Sequence, residues 1–294
     1  MLLSRATAVA AIVSATIAAG CGGPAPPASD GLLVATGGPL QVTDGSGDLA
    51  AFDGPEDPVV AVTASGGHVV AATAAGPLVT SSGAGGKRTW LVLDIPGAPG
   101  PDFSLMAISP IGKRLALVVG EPQGASFDLV IADIGVGTSR SFAIERGLNG
   151  APTWIGPGTI AIDVIKPAGA SAIAAIDAGS GVVTDDALPG RVVSATLDGT
   201  LLALDDPETG EVLVGEAGVG GLDQAARIAH LAGPPGSAVD GLALSPDGGR
   251  LAVVRRTDAG LASIETYRRL EQGWTGVRTL NVAGDGPVSL AWLQ

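Results

Sequence analysis

One phrase recurs along this chain and narrows its fold more than any other feature. An apolar triplet centred on a small residue is followed by a tight turn and then by an apolar run. The clearest copies are Leu242-Ala243-Leu244-Ser245-Pro246-Asp247-Gly248 followed by Leu251-Ala252-Val253-Val254, and Met106-Ala107-Ile108-Ser109-Pro110-Ile111-Gly112 followed by Leu115-Ala116-Leu117-Val118. Weaker copies centre on Ala61, Thr153, Ala195 and Ala291. A phrase that returns at a steady interval marks a repeat architecture, in which each copy buries its apolar faces only against its neighbours.

The turn has a chemical reason. Ser at the first position, Pro at the second and Gly at the fourth suit a type I turn, with the Gly free to take positive φ. Glycines stand five residues after their centres at Gly66, Gly112, Gly158 and Gly248. Gly199 stands four after Ala195, which reads as a one-residue deletion in that copy. Each turn leads into a short apolar run: Val69 to Ala72, Leu115 to Val119, Ile160 to Ile162, Leu201 to Leu204 and Leu251 to Val254. Such runs, rich in branched residues and bounded by Gly or Asp, read as strands. Segments such as Phe127 to Ile131 and Ser141 to Ile144 leave room for two more strands between copies. No long helix emerges; residues 221–231 alone have helical composition, and the balance there is against one.

The centres lie 46, 46, 42, 48 and 48 residues apart, the span of one four-stranded propeller blade. Six centres are present, but only three residues follow Ala291, so its blade lacks three strands. The segment from Gly31 to Gly54 offers three: Leu32 to Ala35, Leu40 to Thr43 and Leu49 to Phe52. The expected fold is therefore all-β, a six-bladed β-propeller over residues 31–294. It is closed by pairing of the C-terminal strand, Val288 to Leu293, with the N-terminal strands, which protects the sheet edges.

The Ser-Pro-Asp-Gly turn followed by Leu-Ala resembles the TolB-like and WD40-like propeller repeats of exported bacterial proteins. The Ala-, Gly- and Val-rich composition is also similar to that of lipidated actinobacterial proteins that end in such a propeller. The resemblance implies fold and an envelope location; it implies no ligand.

Residues 1–20 read as a signal peptide: Arg5 closes a short n-region and a mostly apolar stretch runs from Ala6 to Ala19. Those 14 residues suit a signal h-region and fall short of a membrane span. Ala18-Ala19-Gly20-Cys21 resembles a bacterial lipobox, with Ile17 one place ahead of the family's usual branched residue. That resemblance implies cleavage before Cys21, lipidation of Cys21, and a membrane anchor on the extracytoplasmic face. Residues 21–30 follow as a Gly/Pro tether. Its nine residues after the Cys, at roughly 3 Å each, would hold a domain on the order of 25 Å off the surface.

Composition removes several function classes. Sixteen Lys and Arg against 29 Asp and Glu leave a net charge of −13, which argues against nucleic-acid binding. A single Cys excludes an intramolecular disulfide and a cysteine-based metal cluster. His68 and His230 lack metal-ligand or catalytic neighbours and read as surface or packing residues. Asp44-Gly45-Ser46-Gly47-Asp48 places oxygens at alternate positions, as calcium loops do, but sits where a hairpin turn is expected. Asp205-Asp206-Pro207-Glu208-Thr209-Gly210 reads as a solvated β-turn. Trp154 and Trp292 occupy repeat positions, where core packing explains them. Asn149 and Asn281 fall outside strand centres, which weakens a lactonase-type channel site.

The most unusual feature is basic. Arg250, Arg255, Arg256, Arg268, Arg269 and Arg278 fall within 29 positions of one repeat. Guanidinium groups suit bidentate carboxylate or phosphate contacts, so the set is a candidate surface for a protein partner or a lipid headgroup. The plainer reading pairs them with Asp258, Glu265 and Glu271. The functional expectation is a non-enzymatic, monomeric scaffold or sensor that needs no cofactor and binds an envelope protein. The alternatives are a metal-dependent hydrolase or lactonase using the channel, and a carrier of a small ligand.

Overall fold

The computed structural model describes residues 31–43, 48–81, 89–93, 95, 105–119, 124–166, 169, 171–188, 190, 193–206, 208–218, 221–223, 227–282 and 286–293. The signal peptide, Cys21 and the tether lie outside the described residues, as do positions 44–47 of the Asp44–Asp48 loop.

Among the described residues there is no helix, and the strands form six antiparallel sheets. From the centre outwards, blade one is Val59–Ser65, His68–Thr73, Gly76–Ser81 and Leu91–Val92. Blade two is Met106–Ile108, Arg114–Val119, Phe127–Asp133 and Ser139–Ile144. Blade three is Thr153–Trp154, Thr159–Ile165, Ser171–Asp177 and Val183–Leu188, with Gly147–Leu148 also paired to its second strand. Blade four is Val193–Ala195, Leu201–Asp205 and Val212–Gly218, edged by Gly221–Leu222 and Ala229–Leu231. Blade five is Ser237–Leu244, Arg250–Thr257, Ala262–Leu270 and Gly273–Val282. Within the stretch of helical composition, Gly221–Leu222 and Ala229–Leu231 are thus strand edges, because Val212–Gly218 offers their backbone groups partners.

The sixth blade closes the ring. Its innermost strand is Ser289–Trp292, and Leu32–Ala35, Gln41–Thr43 and Ala50–Ala51 complete it. Leu32 pairs with Trp292 and Ala35 with Ser289 in antiparallel register, as the strand count implied. Innermost strands of neighbouring blades pack on one another around the whole ring.

Strand alternation explains the core. Leu33 and Ala35 face blade one, while Leu32 and Val34 face blade five, all fully buried. The same two-sided burial holds for Leu115 and Leu117 against Ala116 and Val118. Six apolar clusters result, one at each junction between blades. Ala at many of these positions lets sheets approach closely, which suits a chain poor in aromatics.

The repeat turns form largely as their chemistry requires, with one correction. The amides of Gly112, Gly199 and Gly248 donate to the carbonyls of Ser109, Thr196 and Ser245, and the three glycines have φ of 69°, 71° and 67°. The hydroxyls of those Ser and Thr residues accept from the amides of Arg114, Leu201 and Arg250 at 2.8–3.1 Å. Blade four therefore has a full-length turn, and its repeat centre is Ser194 rather than Ala195. The shortened turn is in blade three, where the Ile155 amide reaches Thr159, and Gly158 takes no positive φ. Blade one departs differently. Ser65 pairs with His68 across Gly66-Gly67, both at positive φ, a two-residue hairpin of the primed type.

This topology gives the ring two faces. The turns joining first to second and third to fourth strands open on one, here called the turn face. The crossovers between blades, and the turns joining second to third strands, open on the other.

Candidate functional site

The six innermost strands enclose a central channel of about 690 Å³. Its walls are mainly Ala, Val, Leu and Pro, with Thr63, Thr153, Ser194 and Ser289 among the few polar lining groups. Those polar groups stitch the ring. Thr63 Oγ1 accepts from the Ile108 amide at 3.1 Å, joining blades one and two. Trp154 Nε1 donates to the Ala107 carbonyl at 3.0 Å, joining two and three. Thr153 Oγ1 donates to the Val193 carbonyl at 3.1 Å, joining three and four. Ser194 Oγ accepts from the Leu244 amide at 2.9 Å, joining four and five. Trp292 Nε1 donates to the Ala243 carbonyl at 2.8 Å, and Ser289 Oγ accepts from the Val62 amide at 3.1 Å. Every junction carries at least one such side-chain bond to backbone.

The two tryptophans do more than fill space. Arg114 lies over Trp154 at 5.0 Å and Arg250 over Trp292 at 4.5 Å, each a cation–π contact across a junction. Both Arg residues begin the second strand after a Ser-Pro turn, on blades two and five, which stand opposite each other in the ring.

At the crossover end of the channel, Asn149 and Asp163 line the wall side by side, Nδ2 donating to Oδ2 at 2.7 Å. Asp163 is 6% exposed, and a Cβ at Gly150 would stand 3.0 Å from its own Cβ. Asn149 falls outside a strand centre, yet that is where the inner strand enters the channel. Asn281 lies on the outermost strand of blade five, far from the axis. Asp240 meets Arg256 at the same end, Nε to Oδ2 at 2.9 Å. Among the described residues no group of three or more His, Cys, Asp or Glu is placed to hold a metal ion.

The six arginines separate into three fates. Arg255 is 1% exposed and internal: Nε donates to Glu265 at 2.7 Å, and the other nitrogens donate to the carbonyls of Gly210 and Leu231. Tyr267 donates to the same Glu265 oxygen, and burial followed by this hydrogen bond pushes its hydroxyl up to about 12. Arg256 also donates to the carbonyls of Gly260 and Gly286, and Arg278 reaches Asp48 of the closing blade. Of the three acidic partners expected, only Glu265 serves here.

Arg250, Arg268 and Arg269 gather at the turn face. Arg250 and Arg268 are register partners on adjacent strands, and with Asp247 and Gly249 they line a shallow pocket of about 280 Å³. Arg268 and Arg269 are exposed. Asp247 is held below the usual carboxylate range, first by the Ser245 hydroxyl and then by the Gly249 amide.

His230 sits on the edge strand of blade four, 3.0 Å from Glu211. His68 begins the second strand of blade one as expected, its Nδ1 buried without a hydrogen-bond partner among the described residues. At the solvated turn after Asp205, Asp206 is held low by the Thr209 hydroxyl and the Glu208 amide.

Scans against protein-family models and curated proteins find no match. Solved structures resemble the chain in fold. TolB from Acinetobacter baumannii is similar at a TM-score of 0.57 and 15% identity, over 90% of this chain and 66% of that one, slightly under two thirds of its length. A chain of the nidogen–laminin complex is similar at 0.59 and 15% identity, over 90% and 98%. A putative 6-phosphogluconolactonase from Bacteroides fragilis is similar at 0.51 and 17% identity, over 88% and 84%. The fold is a six-bladed propeller similar to TolB-like and lactonase-like proteins alike.

Proposed function

We propose that the protein is a lipid-anchored, extracytoplasmic propeller that serves as a protein-binding scaffold or sensor at the cell envelope. The observation that supports this reading best is the commitment of the channel's polar side chains. Thr63, Thr153, Ser194, Ser289, Trp154 and Trp292 all bond to backbone across the junctions, holding the ring rigid. A rigid ring with small side chains along its axis suits display of surface loops. The likeness to a chain of the nidogen–laminin complex is in keeping with a propeller that works by contact. Arg250, Arg268 and Arg269 supply guanidinium groups for carboxylate or phosphate contacts at its surface.

The test is crosslinking and affinity purification from native membranes, with wild type beside Cys21→Ala. A stoichiometric protein recovered with wild type and lost with Cys21→Ala supports the reading. No partner from intact membranes overturns it.

A second reading, a channel-site hydrolase of lactonase type, is favoured by one observation: the Asn149–Asp163 pair at the channel wall. Hydrolysis of sugar lactones by purified protein, abolished in Asp163→Ala and retained in Arg268→Gln, would favour that reading instead.

A further inference from the structure

Three observations orient the ring. Leu293 donates its amide to the Gly31 carbonyl at 2.7 Å, so the chain enters the closing blade on the turn face. The tether from Cys21 is only nine residues longer than the Cys itself, so an anchor there holds this face nearest the membrane.

The second observation is apolar exposure. Eight large apolar side chains stand exposed among the described residues. Four of them, Ile111, Val136, Val182 and Leu270, lie at turns of this one face, against Leu261 alone on the crossover face.

The third is charge. The crossover face carries exposed Asp53, Glu56, Asp57, Glu145, Glu208 and Asp258. On the turn face, exposed acids such as Asp198, Asp247 and Glu271 are offset by exposed Lys113, Arg140, Arg268 and Arg269, the last two beside the Arg250–Asp247 pocket. An anionic surface is therefore repelled more strongly by the crossover face than by the turn face, where Arg268 and Arg269 stand side by side.

We infer that the turn face docks on an anionic lipid surface, with a headgroup phosphate between Arg250 and Arg268 and the apolar turns at the headgroup boundary. A phosphate fits that place because Arg250 and Arg268, register partners on adjacent strands, line one pocket in which Asp247 Oδ1 is taken up by the Ser245 hydroxyl and the Gly249 amide. Exposed Arg near an anionic leaflet is attracted over about a Debye length. The acidic crossover face is then turned outward. This rests on the anchor reading, and the experiment separates the two.

Exported protein is purified from membranes and the mass of its N-terminal peptide is read. An unacylated Cys21 overturns the anchor reading and, with it, the reason for this orientation. The acylated protein is then placed in phosphatidylcholine vesicles with and without phosphatidylglycerol, and amide exchange is followed. The expected result is slowed exchange at residues 109–112, 134–138 and 245–249 on anionic vesicles only, with residues 53–57 unchanged.

Arg268→Gln with Arg269→Gln, both exposed and outside the junction bonds, should keep the fold and weaken the vesicle contact roughly tenfold or more. Protection at residues 53–57 instead overturns the inference. So does protection indifferent to lipid charge and to the Arg changes. Protection of the turn face that appears only in native membranes overturns it in favour of a protein on that face.

Discussion

The indole of Trp292 donates from Nε1 to the carbonyl of Ala243 at 2.8 Å, fastening the closing blade to blade five. Trp154 makes the matching bond to Ala107 on the opposite side of the ring, and each indole also carries an arginine on its face. Replacing either Trp by Phe keeps most of the packing and removes the donor, so each change should cost about 1–2 kcal/mol in denaturant unfolding. Losses of only a few tenths in both would show that the bonds add nothing to packing.

Arg255 and Glu265 form a pair that is buried between blades four and five. Removing one partner leaves the other charge buried, so Arg255→Ala should cost about 3–5 kcal/mol. Circular dichroism melts of Arg255→Ala and Arg268→Gln would separate the buried residue from the surface one. Equal, small shifts would contradict the burial assignment.

Two glycines that look alike in sequence should behave in opposite ways. Gly199 has φ of 71°, and a Cβ there would stand 2.5 Å from the Ile155 carbonyl oxygen, so Gly199→Ala should cost more than about 1 kcal/mol. Gly158 has neither constraint, and Gly158→Ala should be neutral or slightly stabilising. Melting temperatures of the two variants check this.

Acid should loosen the turns before it reaches the core. Asp198 is held below the usual carboxylate range by the Thr196 hydroxyl and then by the Thr200 amide and hydroxyl, and Asp247 by Ser245 and then Gly249. A carboxylate with a lowered folded value contributes stability above its unfolded value, near pH 4, and loses it as pH falls through the folded value. Stability should thus decline below about pH 4, and Asp198→Asn should flatten that decline. An unchanged slope in Asp198→Asn would sink the assignment.

Much of the ring is written locally. The repeat interval, the Ser-Pro turn and the surplus of N-terminal strands each depend on residues close in sequence, and Leu32–Ala35 forms with the bounds its apolar run implied. In sequence the turn after Ala195 reads as one residue short because adjacent Ser194 and Ala195 are both small; only hydrogen bonding shows that Ser194 is the repeat centre.

The stitches at Thr63, Ser194 and Ser289 were illegible, since each bonds to backbone 45–227 residues away. Burial of Arg255 had a local signal in its parity with Leu251 and Val253, which face blade four. The place of Asn149 outside a strand centre argues in sequence against a channel site, because residues just ahead of a strand line a propeller channel only once the ring has closed.

The most direct measurement is site-specific photo-crosslinking in native membranes from two positions, Glu208 on the crossover face and Val136 on the turn face. The account predicts a discrete protein adduct from Glu208 and lipid adducts from Val136. A protein adduct from Val136 with none from Glu208 would contradict both the orientation and the outward scaffold.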